Sequence, residues 1–153
     1  MNPATQESHS YRRDHRVPEF PDDHPIIIFD GHCALCSGWA RFVLRHDHLK
    51  RFRLLPAQSN LGHALYLHYG LNPQDYETNI LIQDGLAWFE SEGSIRMAEG
   101  LGFPWSIAKV FRVFPLRFRD RLYQCVARNR FRLFGRRDVC FLAEPGHEER
   151  FLK

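Results

Sequence analysis

The 153-residue sequence has no apolar run long enough to cross a membrane, which takes about 18 residues. Its first 25 residues are polar and hold no hydrophobic stretch of the kind that marks a secretory signal. We therefore expect a cytoplasmic protein without a transmembrane segment. Internal repeats and low-complexity tracts are also lacking, and a composition with 44% hydrophobic residues is typical of a folded domain.

Cysteine is scarce, with four residues in the chain, and such a number argues against a disulfide-rich scaffold. In a reducing compartment, closely spaced cysteines serve in catalysis or in metal binding. Cys33 and Cys36 are such a pair, and they come directly after the apolar run IIIF at residues 26–29. This Cys-x-x-Cys motif is therefore the first candidate for the functional site.

The pattern of apolar residues predicts an α/β fold. Residues 26–29 and 51–55 are typical of strands, and Asp84-Gly85 between two apolar runs is typical of a hairpin turn. Helices are predicted after each of the first two strands, at residues 94–101, and after Pro104 and Pro115. In the first helix, Leu35, Trp39, Phe42, Val43 and His46 share the predicted inner side, and Ser59 is predicted to cap the second. A strand-helix-strand unit makes the first two strands parallel neighbours, so we expect a four-stranded mixed sheet with flanking helices and an added helical C-terminus. Residues 1–25 are predicted to be a flexible tail, and residues 26–153 the domain.

The position of the cysteine pair suits thiol chemistry. Sites in open α/β sheets lie beyond the carboxyl ends of the strands, and Cys33 stands there at the predicted start of a helix. Unpaired N–H groups and the helix dipole favour a thiolate at that point. We therefore expect Cys33 to be the acidic, accessible nucleophile, and Cys36, one turn later, to resolve the mixed disulfide.

Two segments, FDGHCALCSGW at 29–39 and ARNRFRLFGRRDVC at 127–140, resemble the DCC family of predicted thiol-disulfide oxidoreductases, within the thioredoxin-like superfamily. The resemblance covers roughly residues 26–142. It implies a thioredoxin-like domain that exchanges thiols and disulfides without a bound cofactor, with a protein or a low-molecular-weight thiol as substrate. Site residues carried over are Asp30, Cys33 and Cys36, with the arginine-rich ending matched by Arg137, Asp138 and Cys140.

The sequence departs from thioredoxins and glutaredoxins at one functional position. Those proteins place a cis-proline immediately before the third strand, facing the cysteines. Here Thr78 and Asn79 stand at that place. The resemblance therefore implies the thiol chemistry but not the way in which thioredoxins bind their substrates.

Zinc binding is the main alternative function for the pair. A structural zinc ion needs four ligands, usually from two closely spaced pairs. Cys125 and Cys140 form no second pair, so a site would have to combine Cys33 and Cys36 with Cys140 and His32. We interpret Cys125 as a buried hydrophobic residue on a helix.

The neighbours of the pair each admit two roles. Asp30 could relay a proton during exchange or cap the turn by accepting backbone N–H bonds. His32 could stabilise a thiolate or simply face solvent. Cys140 could be a third redox thiol or a packed residue beside an Arg137–Asp138 ion pair, and we prefer the second interpretation.

The C-terminal third of the chain is strongly basic, because Asp120 is the one acidic residue among ten basic residues between residues 101 and 137. Helical spacing predicts that Phe118, Tyr123, Phe131 and Phe134 point inward. Without a recognised nucleic-acid module we expect no specific nucleic-acid binding. A basic-surface binding module, attracting an acidic partner, glutathione or an anionic membrane surface, is a further alternative. Trp39 and Phe42 are interpreted as core residues.

Overall fold

The chain is described here from a computed structural model that covers residues 6–141 and 145–152. The first five residues of the predicted tail, Leu142 at the end of the family resemblance, and Lys153 lie outside the described residues. The helices and strands are β1 (Ile26–Phe29), α1 (Ala34–His46), β2 (Arg53–Pro56), α2 (Asn60–His68), β3 (Ile80–Gln83), β4 (Leu86–Phe89), α3 (Glu90–Gly100), a 3₁₀ helix (Trp105–Val113) and α4 (Leu116–Phe134). Two short 3₁₀ turns also occur, at Ser10–Arg13 and Glu148–Arg150.

The strands form a four-stranded sheet in the order β2-β1-β3-β4. Strand β1 runs parallel to β2 and antiparallel to β3, and β3 pairs with β4 as a hairpin. The predicted mixed sheet with flanking helices is thus confirmed, and the domain is an α/β, thioredoxin-like fold. No helix among the described residues is long and apolar enough to span a bilayer.

Strand β1 is buried on both faces because its residues alternate between two apolar clusters. Ile26 and Ile28 belong to a cluster on one side of the sheet, which includes Leu65 of α2. Ile27 and Phe29 belong to the cluster on the other side, together with the cysteine pair. This arrangement places the end of β1, and the turn that follows it, at the centre of the molecule.

The predicted hairpin turn between β3 and β4 and the predicted cap of α2 are both confirmed. Asp84 and Gly85 both have positive φ, 53° and 75°, as the two-residue hairpin turn requires. The Ser59 hydroxyl accepts a hydrogen bond from the N–H of Gly62 and caps α2. Helix α3 begins at Glu90, four residues before the predicted start, because β4 runs into it without a loop.

The predicted buried face of helix α1 is correct in part. Of the residues that the sequence favoured, Val43 is fully buried, whereas Leu35, Trp39, Phe42 and His46 are half-buried. Leu35 and Trp39 pack against the core cluster that includes the cysteine pair. Phe42 and His46 pack against Trp105 of the 3₁₀ helix, with ring centroids 4.7 and 5.0 Å apart. The deepest side of the helix is shifted from the predicted one and also carries Cys36, Ser37, Ala40 and Leu44.

The N-terminal segment, which the sequence predicted to be a flexible tail, packs against the domain. The Tyr11 side chain is 2% exposed and belongs to the core cluster on the α2 side of the sheet. Its hydroxyl donates a hydrogen bond to Asp22 at 2.8 Å, and its ring lies 5.2 Å from that of Phe20. The proline-rich, polar composition of the segment gave no indication that Tyr11 would be buried. The boundary at residues 25 and 26 itself remains a prediction.

The packing of Tyr11 generates a stability prediction. Tyr11→Ala should lower the free energy of unfolding by about 3–5 kcal/mol, the usual cost of truncating a buried aromatic residue. Urea unfolding followed by circular dichroism measures the change. His15→Ala, an exposed position in the same segment, should leave the midpoint unchanged. If Tyr11→Ala unfolds at the urea concentration of the wild-type protein, the prediction of a flexible tail is the better description.

Candidate active site

The cysteine pair lies at the carboxyl end of β1, where the chain turns into α1. Cys33 is the residue immediately before the helix, and its Sγ accepts a hydrogen bond from the backbone N–H of Cys36 at 3.3 Å. A sulfur at this position meets the unpaired N–H groups and the positive end of the helix dipole, both of which stabilise a thiolate. The predicted placement of Cys33 at a helix start is confirmed.

The pKa values of the two thiols are displaced in opposite directions. The pKa of Cys33 is lowered to about 7, mainly because the Cys36 thiol donates a hydrogen bond to the Cys33 sulfur. Burial opposes this shift, while the backbone N–H of Cys36 and the charge of Arg130 assist it. The hydrogen bond with Cys33, followed by burial, raises the pKa of Cys36. Near neutral pH, Cys33 is therefore the thiol that ionises and Cys36 the one that keeps its proton.

A buried ion pair lies beside the cysteines. Arg130 Nη2 is 3.3 Å from Asp30 Oδ2, and the two side chains are 2% and 3% exposed. The charge of Arg130 lowers the pKa of Cys33, whereas the charge of Asp30 raises it. Arg130 was not predicted as a site residue, because the sequence pattern grouped it with the basic surface residues. Its spacing of seven residues from Tyr123, on the inward side of α4, was the available signal.

Asp30 also holds the turn between β1 and α1. Its Oδ1 accepts hydrogen bonds from the backbone N–H of His32 at 2.9 Å and from Gln58 Nε2 at 2.6 Å. These contacts are those of the turn-capping role that the sequence suggested. The carboxylate therefore has three partners, namely the His32 N–H, the Gln58 amide and Arg130. All three are contacts of a structural role.

Gly31 of the same turn is in contact with Cys140. The Cys140 Sγ occupies the place that a Cβ on Gly31 would need, so a larger residue here would displace it. The N–H of Gly31 donates to Gln58 Oε1 at 3.0 Å. Burial raises the pKa of the half-buried Cys140 thiol. Its contacts favour the role of a packed residue over that of a third redox thiol.

Residues 135–141, the covering segment, lie across the cysteine turn. The N–H of Arg137 donates to the His32 carbonyl at 2.7 Å, and that of Phe141 to the Gly31 carbonyl at 2.9 Å. Arg136 forms an antiparallel β-bridge with Cys33. As a result, Cys33 is 0% exposed, and the expectation that it is the accessible thiol is wrong. The extended pairing of the covering segment with the turn is the physical reason.

The remaining predicted auxiliary residues belong to this contact. His32 is half-buried rather than solvent-facing, and its Nδ1 lies 3.2 Å from the carbonyl oxygen of Arg137. Arg137 lies over the ring of Phe141. The predicted ion pair between Arg137 and Asp138 is not formed within the described part of the chain, where Asp138 is exposed.

A cavity of about 180 Å³ adjoins Cys36. Its walls include Trp39, which sequence analysis treated as core, Asn79 from the position before β3, and Arg130. Asn79 Oδ1 and Arg130 Nε are buried, and neither has a hydrogen-bond partner among the described residues. Two of the residues that line the cavity thus each keep one buried polar atom without a hydrogen-bond partner.

The C-terminal helix departs from two predictions. Cys125 is exposed rather than buried. Phe118 and Phe134 are 58% and 50% exposed rather than inward, whereas Tyr123 and Phe131 are half-buried as expected. The reason is that α4 contacts the domain through the side that carries Tyr123 and Arg130, and the apolar stripe that the pattern assigned to the core faces away.

The zinc alternative lacks an assembled site. Within residues 6–141 and 145–152, no group of three or more His, Cys, Asp or Glu side chains is close enough to hold a metal ion. His32 and Cys140 are both described, so the four-ligand set with Cys33 and Cys36 is not brought together.

Comparisons with known proteins agree on one family. Residues 27–136 match the DCC1-like thiol-disulfide oxidoreductase family. A chloroplastic DCC family protein of Arabidopsis thaliana is 37% identical over 122 residues, which cover 79% of this chain and 71% of that protein. The uncharacterized protein YuxK of Bacillus subtilis is 31% identical over 127 residues, covering 83% of this chain and 93% of YuxK. No solved structure matches the chain significantly.

The opposite pKa displacements generate a titration prediction. The ultraviolet absorbance of thiolate should rise with a midpoint at about pH 7, because Cys33 ionises there. The increase should disappear in Cys33→Ser and persist in Cys125→Ala. A midpoint at the ordinary thiol pKa of ~8.5 would contradict the assignment of Cys33 as the activated thiol.

The ion pair generates a second prediction at this site. Arg130→Met should raise the pKa of Cys33 because it removes a nearby positive charge, and Asp30→Asn should lower it because it removes a negative one. The same titration measures both. Arg128→Met, an exposed position on the same helix, is the matched control and should shift nothing.

Because breaking a buried pair is destabilising, the fold of each variant is checked by circular dichroism. Asp30→Asn carries the test alone if Arg130→Met does not fold. If both variants shift the pKa of Cys33 in the same direction, or if Asp30→Asn does not shift it, the ion pair does not set the pKa of Cys33 by its charges.

Proposed function

The chain belongs to the DCC1-like thiol-disulfide oxidoreductase family, and from this premise we propose that it exchanges thiols and disulfides through Cys33 and Cys36. Cys33 is the attacking thiolate and Cys36 the resolving thiol. The observation that carries the proposal is the position of the pair at the start of α1, where the Cys33 sulfur accepts a hydrogen bond from the N–H of Cys36 at 3.3 Å. The opposite displacements of the two pKa values agree with this geometry, since a lowered pKa provides the nucleophile near neutral pH.

The exchange proceeds in two balanced steps. The Cys33 thiolate attacks one sulfur of a substrate disulfide, forms a mixed disulfide and expels the other substrate sulfur as a thiolate. Cys36 then gives up its proton and attacks the Cys33 sulfur, which closes the protein disulfide and expels the second substrate thiolate. Two electrons pass from the pair to the substrate, and the reverse sequence oxidises a dithiol.

Cys36 needs to lose its proton only in the second step. In the reduced protein its thiol hydrogen is donated to the Cys33 sulfur, which raises the pKa of Cys36. Once Cys33 is bound in a mixed disulfide, that thiolate charge is gone, so a main obstacle to ionisation of Cys36 is removed. The expelled substrate thiolate is the acceptor of the proton. Asp30 acts in this scheme by holding the turn and balancing the charge of Arg130.

Access to Cys33 requires the covering segment to move. The segment is bound to the turn by backbone hydrogen bonds at His32 and Gly31, so an extended substrate can replace it only after these bonds break. We propose that opening of residues 135–141 precedes attack on a protein disulfide. Partners are accordingly thiols or disulfides, small or protein-bound, that reach the exposed turn.

The trapping experiment tests the division of roles. Cys36→Ser incubated with glutathione disulfide should accumulate one glutathione adduct on Cys33, because the resolving thiol is missing. Wild-type protein should instead lose two thiols reversibly and contain a Cys33–Cys36 disulfide. Intact-protein and peptide mass spectrometry distinguish these products.

Cys33→Ser should form no stable adduct, and Cys125→Ala should behave as the wild-type protein. Normal turnover of Cys140→Ala would support its packing role. An adduct on Cys36 in the presence of Cys33 would reverse the roles, and stoichiometric zinc lost in a Cys33→Ser/Cys36→Ser variant would replace exchange by the metal-binding alternative.

A further inference from the structure

The outer side of the C-terminal region exposes a set of large apolar side chains. These residues, together the apolar face, are between 49% and 81% exposed. They are Ile107, Val110, Phe111, Val113, Phe114, Leu116, Phe118, Leu122, Leu133 and Phe134. Large exposed apolar patches are rare on monomeric soluble proteins and mark docking surfaces, and seven of these ten residues fall between Ile107 and Phe118.

Helix α4 carries an arginine stripe next to this face. At about 100° per residue, Phe118, Leu122 and Leu133 share one stripe along the helix. Exposed arginines occupy the adjoining stripe and form no ion pair within the described residues. They are Arg117, Arg121, Arg128 and Arg132. Arg112 and Arg119 are different, because both bind Glu92.

We propose that the apolar face and its arginine stripe dock on the surface of an anionic lipid bilayer. A bilayer interface accepts apolar side chains at the acyl boundary and cations at the headgroup phosphates, which is the combination seen here. A second copy of the chain would bring like-charged arginine stripes together, and a nucleic acid would leave the aliphatic residues unused. Charge complementarity therefore favours the anionic bilayer.

The aromatic contact between Trp105 and α1 fixes the 3₁₀ helix to the domain. Docking therefore needs no refolding, since the apolar residues of the 3₁₀ helix and of α4 are already displayed. It is also separate from the thiol chemistry, because neither Cys33 nor Cys36 contributes to the face.

Co-sedimentation with lipid vesicles tests the proposal. The full chain should bind vesicles of phosphatidylcholine and phosphatidylglycerol and should not bind vesicles of phosphatidylcholine alone. Arg121→Gln/Arg128→Gln should weaken binding by roughly tenfold or more, given about 1 kcal/mol per basic residue at an anionic surface. Phe118→Ser/Leu122→Ser should weaken it by a similar factor, because buried apolar area is lost.

Matched controls are Arg45→Gln/Arg51→Gln and Leu49→Ser, all exposed positions outside the face, which should bind as the wild-type chain does. Cys33→Ser/Cys36→Ser should also bind, so failure of the exchange function would not be confused with failure of docking. Equal binding to neutral vesicles, no binding to anionic ones, or a salt-resistant nucleic-acid complex would overturn the proposal. So would a dimer in ultracentrifugation that Phe118→Ser/Leu122→Ser dissociates while vesicles stay unbound.

Discussion

The ion pair between Asp30 and Arg130 is the interaction on which the rest of the site depends. It joins residues 100 positions apart in the chain, both almost fully buried. Taking two charges out of water costs several kcal/mol for each unless they are paired, so neither side chain can hold its place without the other. The pair thereby fixes the turn after β1, the depth at which α4 docks, and the balance of charge at Cys33.

The sulfur of Cys33 is stabilised as a thiolate and is also shielded from solvent. The helix start that stabilises its thiolate lies under the covering segment, so the sulfur is activated and enclosed at once. An enclosed thiolate is protected from indiscriminate oxidants, since susceptibility follows exposure as well as ionisation. In the proposed exchange, a substrate is therefore selected by its ability to displace the segment, rather than by the intrinsic reactivity of the sulfur.

Much of the fold could be predicted because its signals are local. The apolar run of β1, the Asp84-Gly85 turn, the Ser59 cap and the Cys33 helix start each lie within a few residues. The buried faces of α1 and α4 were predicted only in part, correctly at Val43 and Tyr123, because helical periodicity shows that an apolar stripe exists but not which element covers it. Arg130 and the covering segment were missed for a related reason: their partners stand about 100 residues away in the sequence.

Helix α4 carries several of these features on one rigid body, and this imposes a constraint on its length. Inserting or deleting one residue between Tyr123 and Arg130 would rotate the following part by about 100°. A neighbouring side chain would then face Asp30, and Arg132, which follows the change, would turn away from the line that Arg117 and Arg121 begin. Changes in chain length that preserve the site must therefore fall outside this stretch, in the connections before Leu116 or beyond the covering segment.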